Sequence, residues 1–375
     1  MELLIALIFI LLSTVFSIDY EPQKDVSLKA TRNVDLTSQL VKVKIDYEIK
    51  NNGKNEINHF LHTMSNNEAA HLSWLIAFDG VKKAGAVKLL VDEVVVKGTL
   101  SEFTFYKVEF PNSLSAGASI SIVVEYILTE MLTPSPSEIT QSENQFLLYK
   151  GFANILSAYP IERESTHFKV GSIKPISFTE VNPSKYANDK ILYGSYLNQK
   201  PYEQKPITIH YENNSPFVVA TSVERVIEVS HWGNIAVEEH IELVHKGAKL
   251  KGSFSRLDFQ MDRRGARQPV VKSFTTHLPS ESTDIYYRDQ IGNISTSTLT
   301  TRADRLDIEL RPRFPLFGGW KTNYVLGYNV PTSGHLLWDP ATSSYALKIR
   351  LLDHLFQNAV VQKLRVKIIL PETCK

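Results

Sequence analysis

Cysteine is nearly missing from this sequence: Cys374 is the only one in 375 residues, so no intrachain disulfide can form. A CxxC metal or redox site is excluded on the same ground. An excess of one charge is missing too, since 41 Lys+Arg against 40 Asp+Glu leaves a net charge of +1. That removes the basic field expected of a nucleic-acid binder. Beyond residue 17 no run of 18 apolar residues occurs, so no later stretch reads as a membrane-spanning helix. Phosphate loops of the GxxxxGK[ST] or GxGxxG type, the HExxH helix and the GxSxG elbow are all absent. The expectation is of no catalytic, cofactor-binding or metal site.

What is present suits folded domains. With 43% hydrophobic residues over this length, the chain can build two separate cores. Residues 1–17, MELLIALIFILLSTVFS, carry an unbroken apolar run over 3–12. The run is too short to span a bilayer and fits a signal peptide cleaved after Ser17, although Glu2 stands where a basic residue is usual. The mature chain is therefore expected to be soluble and lumenal or extracellular.

The text then alternates. Val41, Val43, Ile45, Tyr47 and Ile49 fall on one side and Lys42, Lys44, Asp46, Glu48 and Lys50 on the other, a strand with one wet face. Asn51, Asn52 and Gly53 end it in a turn. Further strands are expected near 87–96, 104–110, 120–128, 306–310, 346–352 and 364–370, with an exposed loop at TPSPSE, 133–138. Short alternating strands with turn signals between them predict an all-β chain of two tandem β-sandwich-like domains with a few short helices. The domains are expected at 18–208 and 209–375, with a short helix over 185–198. VDLTSQLVKVKIDYEIKNNG, ending at Gly53, aligns with IEVSHWGNIAVEEHIELVHKG, ending at Gly247, placing Glu48 on Glu242 and Tyr126 in the role of Tyr328. Such a recurrence predicts duplicated domains.

Polar candidates for chemistry do not assemble. His59, His62 and His71 are close in sequence without a metal-site spacing and read as loop histidines. His240 and His245 point to opposite faces of one strand, as do Glu238 and Glu239, so neither pair forms a site. Arg263, Arg264 and Arg267 read as a solvated loop, with an anionic-ligand site as the alternative. Two N-glycosylation sequons occur, and Asn293-Ile294-Ser295, after Gly292 in a Ser/Thr-rich loop, is the favoured one; Asn213-Asn214-Ser215 is followed directly by Pro216 and is expected to be poorly used.

The densest stretch is RPRFPLFGGWKTNYVLGYNVP, with five aromatic residues, three prolines and three glycines in the 21 residues 311–331. Pro312 and Pro315 forbid a helix, Gly318 and Gly319 permit a reversal, and Trp320, Thr322, Tyr324, Leu326 and Tyr328 share one face of the strand that follows. Phe317, Gly318, Gly319 and Trp320 thus form either an aromatic plug of the second core or an exposed docking corner for a partner.

That stretch, with RVIEVSHWGNIAVEE (225–239), YYRDQIGNIS (286–295), VKIILPE (366–372), ITQSENQF (139–146) and HYENNSPF (210–217), resembles the ribophorin I family. The resemblance covers nearly the whole mature chain. It implies a lumenal part of two β-rich domains in a non-catalytic subunit of the endoplasmic-reticulum oligosaccharyltransferase. The complex transfers a lipid-linked oligosaccharide to asparagine in nascent chains. Implied partners are other subunits including the catalytic one, nascent glycoproteins and the translocon. The family's glycosylated asparagine maps onto Asn293. Its membrane span, past the ILPE motif, is expected to lie outside this chain. The rival expectations are a secreted adhesion module and a glycan-active hydrolase with carboxylates drawn from separate strands.

Overall fold

The computed structural model describes residues 20–80, 87–96, 102–171, 173–262, 264, 268–295, 297–341 and 343–372. Residues 1–19, Arg263, Arg267 and Cys374 lie outside the described residues. The protein is all-β: its two α-helices among the described residues, Asn66–Ala70 and Arg256–Met261, are each under two turns long.

The first core spans Val26 to Phe217. Its main sheet has eight strands, with Ile161–Lys169, Val26–Asp35, Val41–Asn51, Ser119–Leu128 and Leu72–Asp79 adjacent in that order. The alternation read from 41–50 appears as alternating burial along Val41–Asn51. Two smaller sheets cover its apolar face. Tyr47 meets Phe60 of the sheet formed by Ile57–Ser65, Phe103–Leu114 and Val91–Val94 at 5.4 Å between ring centroids. Phe168 meets Tyr149 of the sheet built on Phe146–Phe152 and Pro206–Glu212 at 5.5 Å.

The second core runs from Val218 to Phe356. Its main sheet repeats the first strand for strand: Leu364–Ile369, Val218–Val229, Asn234–His245, Lys321–Pro331 and Thr283–Arg288. In both sets the strand named first runs parallel to the one named second and every other pairing in the set is antiparallel. The covering sheet repeats as well, as Phe274–Pro279, Arg305–Leu310 and Thr298–Thr301. Even the register agrees, since Tyr126 stands opposite Val43 as Tyr328 stands opposite Val237.

Two expectations are corrected. Ile209 and Tyr211 belong to the first core, so a division at 208/209 would cut a strand, and the change of core falls between Phe217 and Val218. The helix expected over 185–198 is a β-hairpin, Ser184–Ala187 with Lys190–Gln199. Asn188 and Asp189 sit at φ 50° and 59°, the two-residue turn with both φ positive that joins right-twisted strands.

One buried carboxylate marks the first core. Glu164 is fully buried; its Oε2 accepts a hydrogen bond from the Ile155 N–H at 2.8 Å, and its Oε1 has no partner. Burial pushes its pKa up to about 7, against the Ile155 bond and the Arg32 charge, which lower it. A pKa raised on folding means that the folded chain holds the proton more tightly, so stability is lost as pH rises through 7. Comparing Glu164→Gln with the native chain by urea denaturation, the variant's relative stability is expected to grow by about 3 kcal/mol between pH 4.5 and 8.5. A gap that stayed flat across that range would contradict a buried, proton-holding Glu164.

Candidate functional site

The 311–331 stretch performs the turn-then-strand sequence its residues predict. After Gly319, at φ 81°, strand Lys321–Pro331 buries Tyr324, Leu326, Tyr328 and Val330. Phe317 and Gly318 are buried, Trp320 is half-buried and Gly319 is exposed. The ring of Phe317 lies 5.3 Å from Trp320, 5.5 Å from Phe254 and 5.7 Å from Phe259 between centroids. Phe314 adds an edge contact to Trp320 at 5.8 Å. These edge-on and tilted separations are those aromatic rings favour.

Helix Arg256–Met261 supplies Phe259 on its inner side. Ser255 caps the helix by accepting from the Asp258 N–H at 3.3 Å. The residues four apart on its outer side, Leu257 and Met261, are 66% and 69% exposed. The corner therefore has a packed inner layer and an apolar outer rim.

The corner also closes the seam between the two halves. A Cβ on Gly318 would stand 1.8 Å from the Ala248 carbonyl oxygen, so the chain passes there only because the residue has no side chain. Gly318 accepts from the Leu250 N–H at 3.1 Å and Gly319 donates to the His245 carbonyl at 2.8 Å. The segment thus held reaches the first half: Lys249 N–H donates to Ser137 O at 2.8 Å and Lys251 N–H to Ile139 O at 2.7 Å, within a parallel pairing of Glu138–Ile139 with Lys249–Leu250.

Side chains complete the seam. Gln145 Oε1 accepts from the Ala248 N–H and its Nε2 donates to the Asn213 carbonyl, at 2.8 and 2.9 Å. Gln141 and Ser255 exchange two bonds, at 2.9 and 3.1 Å. Arg264 departs from the solvated-loop expectation: it pairs with Asp262 and donates to the Glu143 and Gln141 carbonyls at 2.9 and 2.7 Å. Hydrogen bonds to it hold the Asp262 carboxyl far below the usual carboxylate range. On the opposite flank Gln39 donates to Val218 O at 2.9 Å, and Leu40, Val219 and Val360 form a small apolar cluster.

The sequons separate cleanly. Asn293 is exposed, while Ile294 next to it is buried. Asn213 is buried; its Nδ2 donates to Leu36 O and Ser38 O at 3.0 and 3.4 Å, and its Oδ1 accepts from Ser215 N–H at 2.9 Å. Both amide hydrogens are used, so a glycan, which replaces one of them, would break at least one of these bonds at a buried site. In secretory cells, Asn293→Gln is expected to remove one endoglycosidase-sensitive mass step, and Asn213→Gln to leave the mass unchanged.

A second constellation escaped sequence reading. Arg225, Glu239 and Asp353 are fully buried together. Arg225 Nη1 contacts Glu239 Oε1 and, at 2.8 Å, Asp353 Oδ2; Nη2 donates to the Tyr328 hydroxyl at 3.1 Å, and that hydroxyl donates to Asp353. Burial disfavours the guanidinium charge, yet the two carboxylates outweigh it and hold its pKa above the ordinary value. Only the period-two positions of Arg225, between Val223 and Ile227, and of Glu239, between Val237 and Ile241, hinted at inward charges.

Neighbouring Glu238 faces outward to Tyr286, Arg288 and His240. His245 is buried and His240 exposed, on opposite faces as the alternation implied. His62 turns inward to the Tyr47 hydroxyl at 3.1 Å, whereas His59 packs on Tyr20. Among the described residues no group of three or more His, Cys, Asp or Glu is placed to hold a metal ion.

The family profile described as Ribophorin I matches residues 26–375. A Caenorhabditis elegans protein named dolichyl-diphosphooligosaccharide–protein glycosyltransferase subunit 1 is 47% identical over 367 residues, covering 97% of this chain and 60% of its own length. Arabidopsis thaliana subunits 1B and 1A are 36% and 35% identical, covering 93% and 92% of this chain and 75% and 57% of theirs. The chain thus spans only part of the length of the relatives it matches. Solved structures are distant: a putative nutrient binding protein from Legionella pneumophila has a TM-score of 0.30 at 8% identity, covering 50% of this chain and 67% of its own. Nothing about activity transfers at that level.

Proposed function

Because the chain belongs to the ribophorin I family, we propose that it is a non-catalytic lumenal subunit of the endoplasmic-reticulum oligosaccharyltransferase. In this role it supports transfer of the lipid-linked oligosaccharide to asparagine by holding the assembly together and helping to present nascent glycoproteins. The observation that carries the reading is where the recognisable stretches go. Gln141 and Gln145 of 139–146, Asn213 and Phe217 of 210–217, and Gly318 and Gly319 of 311–331 all meet at the seam. They hold two domains in one relation, which a scaffold needs and a reaction centre does not.

The contact to partner subunits is placed on the rim formed by Leu257, Met261 and Phe314, which leaves apolar side chains in water beside a rigid support. Affinity capture of the tagged chain from mild-detergent microsomes, followed by mass spectrometry, is expected to recover the catalytic transferase subunit. Leu257→Ser/Met261→Ser is expected to lower that recovery with the melting temperature unchanged. Capture without any transferase subunit would overturn the assignment; equal capture by the variant would move the contact elsewhere.

A further inference from the structure

The end of the second domain opposite the seam carries an unusual concentration of exposed aromatic and aliphatic side chains. Strand Val218–Val229 turns into Asn234–His245 through residues 230–233, and Trp232 at that tip is 94% exposed. Strand Lys321–Pro331 finishes at the same end, where Thr332 N–H donates to the Gly233 carbonyl at 3.0 Å. It leads into a hairpin, Leu336–Asp339 with Ser344–Leu347, which pairs with no other strand among the described residues. On one face of this hairpin Trp338 and Tyr345 lie 4.9 Å apart between centroids, and Leu337 is exposed on the other. Strand Leu364–Ile369 runs parallel to Val218–Val229 and therefore also points this way, ending beside exposed Leu370.

We propose that this end rests on a lipid bilayer, with Trp232 and the paired strands Leu336–Asp339 and Ser344–Leu347 dipping into its headgroup region. Three observations select that occupant. The exposed rings are Trp and Tyr, whose apolar bodies and polar edges suit the boundary between acyl chains and water. The surface is made of two narrow projections rather than a broad patch, so it is poorly shaped to bury the roughly 800 Å² per side that a stable protein interface needs; each tip can still enter a fluid interface on its own. A lone two-stranded hairpin is marginal in water, and embedding its apolar side chains would hold it. The charged residues in and beside the hairpin are of both signs, with Lys348 bonded through its carbonyl to His335, Glu281 on the same His335, Asp284 on Asn329 and Asp339 in the hairpin strand, so attachment rests on ring insertion and not on anionic lipid. The proposal is independent of complex membership.

The test uses the full chain with phosphatidylcholine vesicles, plain or brominated near the headgroup end of the acyl chains. The native chain is expected to float with the vesicles and to lose tryptophan fluorescence only on the brominated ones. Trp232→Ala/Trp338→Ala is expected to reduce the floated fraction at least about fivefold and to abolish the quenching with an unchanged melting temperature. Trp232→Ala alone, at a fully exposed turn, gives a partial loss without risk to the fold. No flotation, flotation that the double variant retains, or a tryptophan-dependent self-association in place of vesicle binding would each overturn the proposal.

Discussion

Arg225→Met is expected to destabilise the second domain by about 3–5 kcal/mol, because it removes the buried cation from a group containing two buried carboxylates and leaves only the exposed Arg350, 3.9 Å from Asp353. A side chain of similar length fills the space, so the loss would come from stranded charge and not from a cavity. Glu239 is on the strand beside Arg225, Tyr328 on the next one, and Asp353 in the loop leading toward the final strand. The cluster therefore pins the hairpin that carries Arg225 and Glu239 to two segments about a hundred residues further on. Converting Arg225, Glu239 and Asp353 together to Met, Met and Leu is expected to recover most of the loss, since a well-packed apolar group avoids the desolvation cost altogether. Denaturant midpoints at pH 7 decide it. A single variant as stable as the native chain would mean that these carboxylates are not buried beside an unreplaced charge.

Gly318→Ala should produce the second large effect, a loss of about 3 kcal/mol, at the upper end of what overpacking costs. Its new methyl would meet backbone, the Ala248 carbonyl at 1.8 Å, and backbone cannot rotate away as a side chain can. Gly319→Ala is the natural control. That position has φ 81° and its nearest neighbour is the flexible Lys249 Cγ at 3.3 Å, so about 1 kcal/mol is expected there. Displacing Gly318 also breaks its bond to Leu250 and, through 249–251, the pairing with 137–139. Limited proteolysis should then cut the 132–145 segment faster in Gly318→Ala than in Gly319→Ala. Equal stability and equal cutting of the two variants would show that the corner does not hold the seam.

The aromatic corner was only partly legible. Its turn, its strand and the inward face of Tyr324, Leu326 and Tyr328 follow from proline, glycine and period-two chemistry over neighbouring residues. Whether Trp320 is core or contact does not, because that depends on Phe254, which packs on Trp320, and on Phe259, which packs on Phe317, both arriving from the separate segment that leads into and forms the helix Arg256–Met261. Arg264 misleads for the same reason, since a basic loop looks exposed until Gln141 and Glu143, distant in the chain, take up its hydrogen bonds. The burial of Asn213, which Pro216 only hinted at, likewise rests on Leu36, far away in the chain.

By itself the sequence determined the β class, the strand faces, the duplication and the family, because alternation, turn residues and recurrence are properties of contiguous residues. The tertiary structure alone decided the hairpin at 184–199, the buried Arg225 group, the seam and which sequon stays open. The hairpin turns locally on Asn188 and Asp189 and is fixed by the strand it joins, Ile161–Lys169; the others depend on partners from about fourteen to more than a hundred residues away, and local preference is silent about which of many compatible strands and loops will lie alongside.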